Sequence, residues 1–429
     1  MKQPWSKRRE LASQIVLLCL YSSPSLLFNN SSSFISASRS VDKREFKECQ
    51  FSLSNSFAQP MTMPELIKLT KDREDTELLD LYNNHDLQYV PNGGSIDLRQ
   101  DIARVVYDNQ ISAENILVFP GGQVALQTAA LAFASTGVHS IVFTPGYQST
   151  VESPEWAIGN AGVTQIPRHP ENNWQVDMKL FKEAIRPHTT KFVILNEPWN
   201  PGGIVMSHQL QQEMIDICRE HSIVILCDEV YRLLEHNECD RLPAMANAYE
   251  KGISAVTMSK PWGACGVTIG WLACQDLSMV QRLVDVQYFG TACVSRASEI
   301  QARMVLGASD AILKERREII LRNKALLMGF VEKYSEFFSV KEPNAGAISF
   351  VKFKLFPSHV LGEQLASNGI SIKPHYCFAD VDDEAREANQ YPSEAYHFRV
   401  GFGELDFPSK LDALAKFVDR RADGWRRVT

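Results

Sequence analysis

The stretches ILCDEVY (225–231) and VTMSKPWGACGVTIGW (256–271) decide the fold of this chain, and LNEPWNPGG (195–203) precedes both. In the first, the apolar run 223–226 leads into Asp228, with Tyr231 three residues further on. In the second, the β-type run 255–258 ends in Ser259 and Lys260. Strands buried on both faces of a parallel sheet read as near-continuous apolar runs. Open sheets of this kind bind ligands beyond the carboxyl ends of their strands. An aspartate and a lysine delivered at two such ends therefore share a crevice. Singly, an Asp-Glu pair after a strand is ordinarily a helix N-cap, and a Ser-Lys pair says nothing. The order Asn200, Asp228, Lys260, each at or just past a strand end, carries the inference.

The alternation continues outward from this centre. Strands are expected at 115–119, 140–144, 192–195, 223–227, 255–258 and 271–274, with helices at 121–134 and 207–221. Strands alternating with helices predict an α/β fold, a mostly parallel sheet with helices on both faces. A charged helical stretch at 308–334, strands at 347–354 and 397–401, and a helix at 408–421 predict a smaller α+β domain. Gly121 and Gly122 open a helix directly after a strand, so the free N–H groups of Gly122 and Gln123 face whatever anion binds there.

In their order, the Asn-Pro-Gly, Asp-Glu-x-Tyr and Ser-Lys-x-x-Gly motifs resemble those of the aspartate-aminotransferase superfamily. These are the fold type I enzymes of pyridoxal phosphate (PLP), and the resemblance covers about residues 62–420. It implies a PLP-dependent aminotransferase that moves an amino group from an L-amino acid to a 2-oxo acid. The alternative it leaves open is a lyase or cyclase of the same fold, eliminating a β- or γ-substituent in the manner of capreomycidine synthase. Lys260 would hold the cofactor as a Schiff base and act as acid and base at the substrate Cα. Asp228 would keep the ring nitrogen protonated, and Asn200 and Tyr231 would bond the ring hydroxyl. Tyr147, in TPGY (144–147), would stack on the ring; Gly122, Gln123, Thr257 and Ser259 would hold the phosphate. Tyr89, in YVPNGG (89–94), matches a tyrosine that reaches the neighbouring subunit's phosphate, which implies a homodimer. Arg399, in HFRVGFG (397–403), would clamp the substrate α-carboxylate with Asn200.

Two positions depart from the family pattern. The phosphate-binding arginine expected eight residues after Lys260 is Thr268. Where members specific for dicarboxylates carry a second arginine, Thr291 is nearest, so an acidic side-chain preference is not supported, though the offset Arg296 keeps it open. Asn84, Trp199, Trp262 and His375 are expected to give the pocket a mixed aromatic and polar wall. The expected division is an extension (1–60), the start of the small domain with a dimer arm (61–90), the large PLP-binding domain (91–305) and the small domain (306–429).

Composition bounds the remaining possibilities. With 429 residues, 45% hydrophobic, the chain can bury a large core. Its net charge of −7 lacks the basic stripe of a nucleic-acid surface. The nine cysteines show no CxxC pair and no regular spacing, which suggests reduced thiols and calls for no metal. Lys2, Lys7, Arg8 and Arg9 precede an apolar stretch at 11–21 and a Ser/Asn-rich tract at 22–40. That pattern reads as a disordered extension, an organellar transit segment or a secretory signal, with a cytoplasmic or organellar location expected, and the apolar run is too short for a stable membrane span. Residues 1–58 are accordingly expected to be dispensable for folding.

Overall fold

The computed structural model describes residues 49–158, 162–379 and 391–427. The basic and Ser/Asn-rich stretches at the amino terminus lie outside the described residues. Seven strands build the large sheet: β1 (Ile116–Phe119), β2 (His139–Thr144), β3 (Val163–Pro167), β4 (Thr190–Asn196), β5 (Val224–Asp228), β6 (Gly252–Thr257) and β7 (Gly270–Cys274). Their order is β1-β7-β6-β5-β4-β2-β3, and β7 alone runs against the rest. The expected mostly parallel sheet is therefore present. β1, β6 and β7 are buried at every residue, as strands covered on both faces must be.

The sequence did not reveal β3. Val-Thr-Gln-Ile-Pro buries only Ile166, because this is the edge strand and most of its side chains meet no second layer. Helix α1 (Gly122–Phe133) buries seven of its twelve residues and packs on β6 and β7. Helix α2 (His208–Glu220) is one-sided, burying Gln211, Met214, Ile215 and Cys218 at the i, i+3, i+4, i+7 spacing of a covering helix. The Ser207 hydroxyl caps it by accepting from the Leu210 amide.

The smaller sheet is antiparallel: β8 (Phe338–Val340), β9 (Ile348–Phe353), β10 (Lys373–Pro374) and β11 (His397–Gly401), ordered β10-β11-β9-β8. Helices α3 (Ser309–Lys333) and α4 (Phe407–Arg426) accompany it. None of the eight described cysteines is in a disulfide. Among the described residues no helix is long and apolar enough to cross a membrane.

The boundary expected at residue 60 is displaced. Phe51–Ser52 pairs in parallel with Ile370–Ser371, and the strap that follows crosses to the large sheet. The Gly401 amide donates to Leu53 O (2.7 Å), Ala58 N donates to Lys260 O (3.1 Å), and Met61 N donates to Gly263 O (3.2 Å). A Cβ on Gly401 would collide with the Asn55 carbonyl, so the strap's backbone lies directly on β11. Residues 49–58 are thus integral to the fold, against the expectation that they are dispensable. Composition missed them because the strap contributes backbone donors and acceptors, and only Leu53 and Ala58 are fully buried apolar groups.

Candidate active site

β4 and β5 run in register, so Asn196 and Asp228 end their strands side by side. Asn196 then braces the loop beyond: its Nδ2 donates to Asp228 O (2.8 Å) and its Oδ1 accepts from the Asn200 amide (2.7 Å). Asp228 is fully buried; no side chain bonds either carboxylate oxygen, and the Val230 amide approaches without forming a hydrogen bond of standard geometry. Burial pushes its pKa up to about 7, with the Val230 amide and the Lys260 charge pulling the other way. A desolvated carboxylate of this kind is poised for a cation or a donor.

Lys260 follows the end of β6. Its Nζ donates to Ser56 Oγ (3.1 Å) and stands 5.8 Å from the centre of the Phe57 ring. Burial, and then the Arg399 charge, lower its pKa to about 8. Tyr231 lies in a turn after β5, fully buried, and burial raises its phenol to about 12 against the favourable Arg399 charge.

Arg399 sits mid-strand in β11, opposite Phe350, and is buried. Its Nη1 donates to Asn200 Oδ1 (3.1 Å) and its Nη2 to Ser54 O (2.7 Å), with the guanidinium carbon 5.3 Å from the Phe378 ring centre. The Arg399–Asn200 bond joins the two sheets directly. A buried guanidinium whose charge reaches Lys260 is the type of group that can receive a carboxylate.

The third wall is the start of α1. Gly121 takes φ +96°, a backbone conformation that side chains disfavour, and no side chain caps the helix. Its first amides therefore remain open to an anion. Gly122 lies against Thr257, where a Cβ would approach within 3.3 Å. Thr257 Oγ1 is 3.3 Å from Ser259 Oγ, and Gln123 Nε2 donates to the Tyr147 hydroxyl (2.5 Å). Thr268 is exposed beside Gly121 in a left-handed conformation, its Oγ1 donating to Gly266 O (3.3 Å).

Of the residues singled out from sequence, Asp228, Lys260, Tyr231, Asn200 and Arg399 are linked by contact or charge; Gly122, Gln123, Tyr147, Thr257 and Ser259 line the α1 end. Tyr89 is not brought in: it is 88% exposed on its own chain. Arg296 is engaged with Asp86 (3.1 Å). Trp262 is a core residue whose indole donates to Ser309 Oγ (2.8 Å), and Asn84 bonds Asp80 on the surface, so these two do not form the expected pocket wall. Sequence reasoning missed Ser54, Ser56, Phe57 and Phe378. Nothing local marks them, since each reaches the site through contacts with distant segments.

The family model for aminotransferase class I and II matches residues 52–379. A probable aspartate aminotransferase of Methanocaldococcus jannaschii is 23% identical over 302 residues, covering 68% of this chain and 78% of that one. The aspartate aminotransferase of Thermotoga maritima is 22% identical over 347 residues, 79% and 83% of the two chains. Among solved structures, a PLP-dependent aminotransferase from Streptococcus suis shares the fold with a TM-score of 0.78 at 24% identity, covering 90% and 97%. The PLP-dependent cyclase OrfR shares it with a TM-score of 0.76 at 20% identity, covering 89% and 96%. With the family match spanning most of the chain, and Asp228, Lys260 and Arg399 brought within electrostatic reach of one another, this protein belongs to the class I and II aminotransferases.

Proposed function

We propose that the enzyme binds pyridoxal phosphate at Lys260 and transfers the amino group of an L-amino acid to a 2-oxo acid. The observation that carries this reading is the fully buried Asp228 carboxylate, which no side chain hydrogen-bonds and which is electrostatically coupled to the Lys260 amine. The residues fit the cofactor. Asp228 lacks the partner that a protonated ring nitrogen would supply, and the uncapped start of α1 with Thr257 and Ser259 suits its phosphate. When bound, PLP supplies an electron-withdrawing ring that stabilises negative charge at the substrate Cα.

The protein's own groups do the rest. Arg399 and Asn200 receive the α-carboxylate and fix how the Cα–H bond points. Lys260 Nζ, uncharged in a substantial fraction of molecules near pH 8, moves the proton at Cα. Tyr231 and Asn200 offer hydrogen-bonding groups beside Asp228, and Phe57 and Phe378 exclude water. Incubation with a panel of L-amino acids, with and without a 2-oxo acid, tests the reading by mass analysis. Amination of the added oxo acid supports it; turnover that needs no acceptor overturns it.

One observation favours a lyase or cyclase as the second reading: Thr268 offers a hydroxyl where the family has a cation. A charge-assisted contact contributes about 1.5–3 kcal/mol, so Thr268→Arg should tighten PLP binding roughly ten- to a hundred-fold by that measure. Equal or weaker affinity by fluorescence titration, with the fold intact, removes this reason for the second reading. The exposed Tyr89 and Leu87 further suggest a homodimer in which Tyr89 enters the other subunit's site. Light scattering should give twice the monomer mass; a monomer with full activity contradicts it.

A further inference from the structure

We propose that Ser56 is the positioning residue for Lys260, its hydroxyl holding Nζ at one point in the pocket between Asp228 and Arg399. The inference rests on the assignment of Lys260 as the reacting amine.

Ser56 Oγ is the hydrogen-bond acceptor for Nζ among the described residues, at 3.1 Å. Every other influence on that amine is non-directional. Arg399 repels it, Cys265 and Asp228 attract it without a hydrogen bond, and the Phe57 ring lies 5.8 Å away. A four-carbon stem loses much rotamer freedom when buried, so a single directional contact decides where its head rests. Ser56 also lies close to the Tyr231 hydroxyl, without forming a hydrogen bond of standard geometry.

The hydroxyl can act in this way because the strap is tied on both sides of it. On the near side, Gly401 N donates to Leu53 O (2.7 Å) and Arg399 Nη2 to Ser54 O (2.7 Å). On the far side, Ala58 N donates to Lys260 O (3.1 Å) and Met61 N to Gly263 O (3.2 Å). Ser56 therefore lies between a bond to the carboxylate-receiving arginine and bonds to the lysine loop. A shift of either sheet moves the acceptor with it. The separation of Arg399 from Nζ is thereby set by five residues of backbone as well as by packing between sheets.

The test uses the PLP-reconstituted enzyme and the cofactor-free protein of S56A, S56G and S56T. Removing the acceptor should lower kcat ~10- to 100-fold with little change in KM, because the amine is misplaced and the carboxylate clamp is intact. In the cofactor-free protein, trace acetylation of the Lys260 peptide against pH should show its midpoint moving below that of the parent, since the lost contact favours the charged amine. S56T, which keeps the hydroxyl, should recover both. Unchanged kcat and midpoint in whichever of S56A and S56G folds would overturn the proposal. So would failure of a folded S56T to recover, which would mean that volume and not the acceptor matters. Borohydride reduction of reconstituted K260A separates the two assignments. A covalent cofactor label persisting there sinks the lysine reading itself, whereas a lost label beside a parent-like S56A sinks only the role of Ser56.

Discussion

Lys260→Ala should lower turnover by at least ~10⁴-fold while leaving the fold intact, since both proton movement and covalent attachment depend on that amine. Exogenous small amines should recover part of the rate, because the vacated space adjoins the same Asp228 and Arg399. Stability moves in the opposite sense. The folded pKa of Lys260 lies at about 8, below the ordinary 10.5, so the folded state disfavours the charged amine. Between those values the unfolded chain holds the extra proton, and stability of the cofactor-free protein rises with pH across that window. The burden of the charge is therefore fully present below pH 8 and gone by pH 10.5. A gap of this size corresponds to roughly 3 kcal/mol, so K260A should melt above the parent at pH 7, with the difference falling to under about 1 kcal/mol near pH 10. Melting curves at the two pH values check this. Activity within a hundred-fold of the parent, or a lower melting temperature at pH 7, contradicts the assignment.

Asp228→Asn gives the complementary result. Its turnover should fall by ~10³-fold or more, because a preorganised negative charge in a dry pocket is replaced by a neutral amide. The cofactor-free protein should at the same time gain stability at neutral and alkaline pH. The folded pKa of Asp228 is raised to about 7 from 3.8, so its contribution is fully present below pH 3.8 and is lost as pH rises through 7. D228N and parent should consequently unfold alike near pH 4 and diverge up to pH 8, the variant being the more stable. Denaturant unfolding across that range provides the measurement. Equal stabilities at pH 8 would mean that the carboxylate has a partner in solution, and its availability to a ring nitrogen would fail with it. These two outcomes together would identify the site as a place where buried charge is held at the expense of stability.

The chemistry-bearing strand ends were legible in the sequence because each is a local signal. An apolar run stops at a polar residue, and the run itself reports burial on both faces, as in ILCDEVY and in the strand before Ser259-Lys260. The Gly121-Gly122 start of α1 was legible for the same reason, since an uncapped helix start after a strand needs no distant partner. Arg399 was readable only through its motif, and its bond to Asn200 was not. β3 escaped because an edge strand buries one residue in five. The strap at 51–61 escaped because it is held by backbone bonds to Ser371, Gly401, Lys260 and Gly263, hundreds of residues away. Backbone donors and acceptors are the same in every residue, so such a segment leaves no period and no composition in the chain. The sequence by itself determined the fold class and the family, and it singled out the lysine, aspartate and arginine of the proposed site. Only the tertiary structure decided that a hydroxyl-rich stretch ahead of them supplies Ser56 to the lysine and Ser54 to the arginine. Long-range hydrogen bonds choose their partners by geometry, which exists only once both sheets have formed.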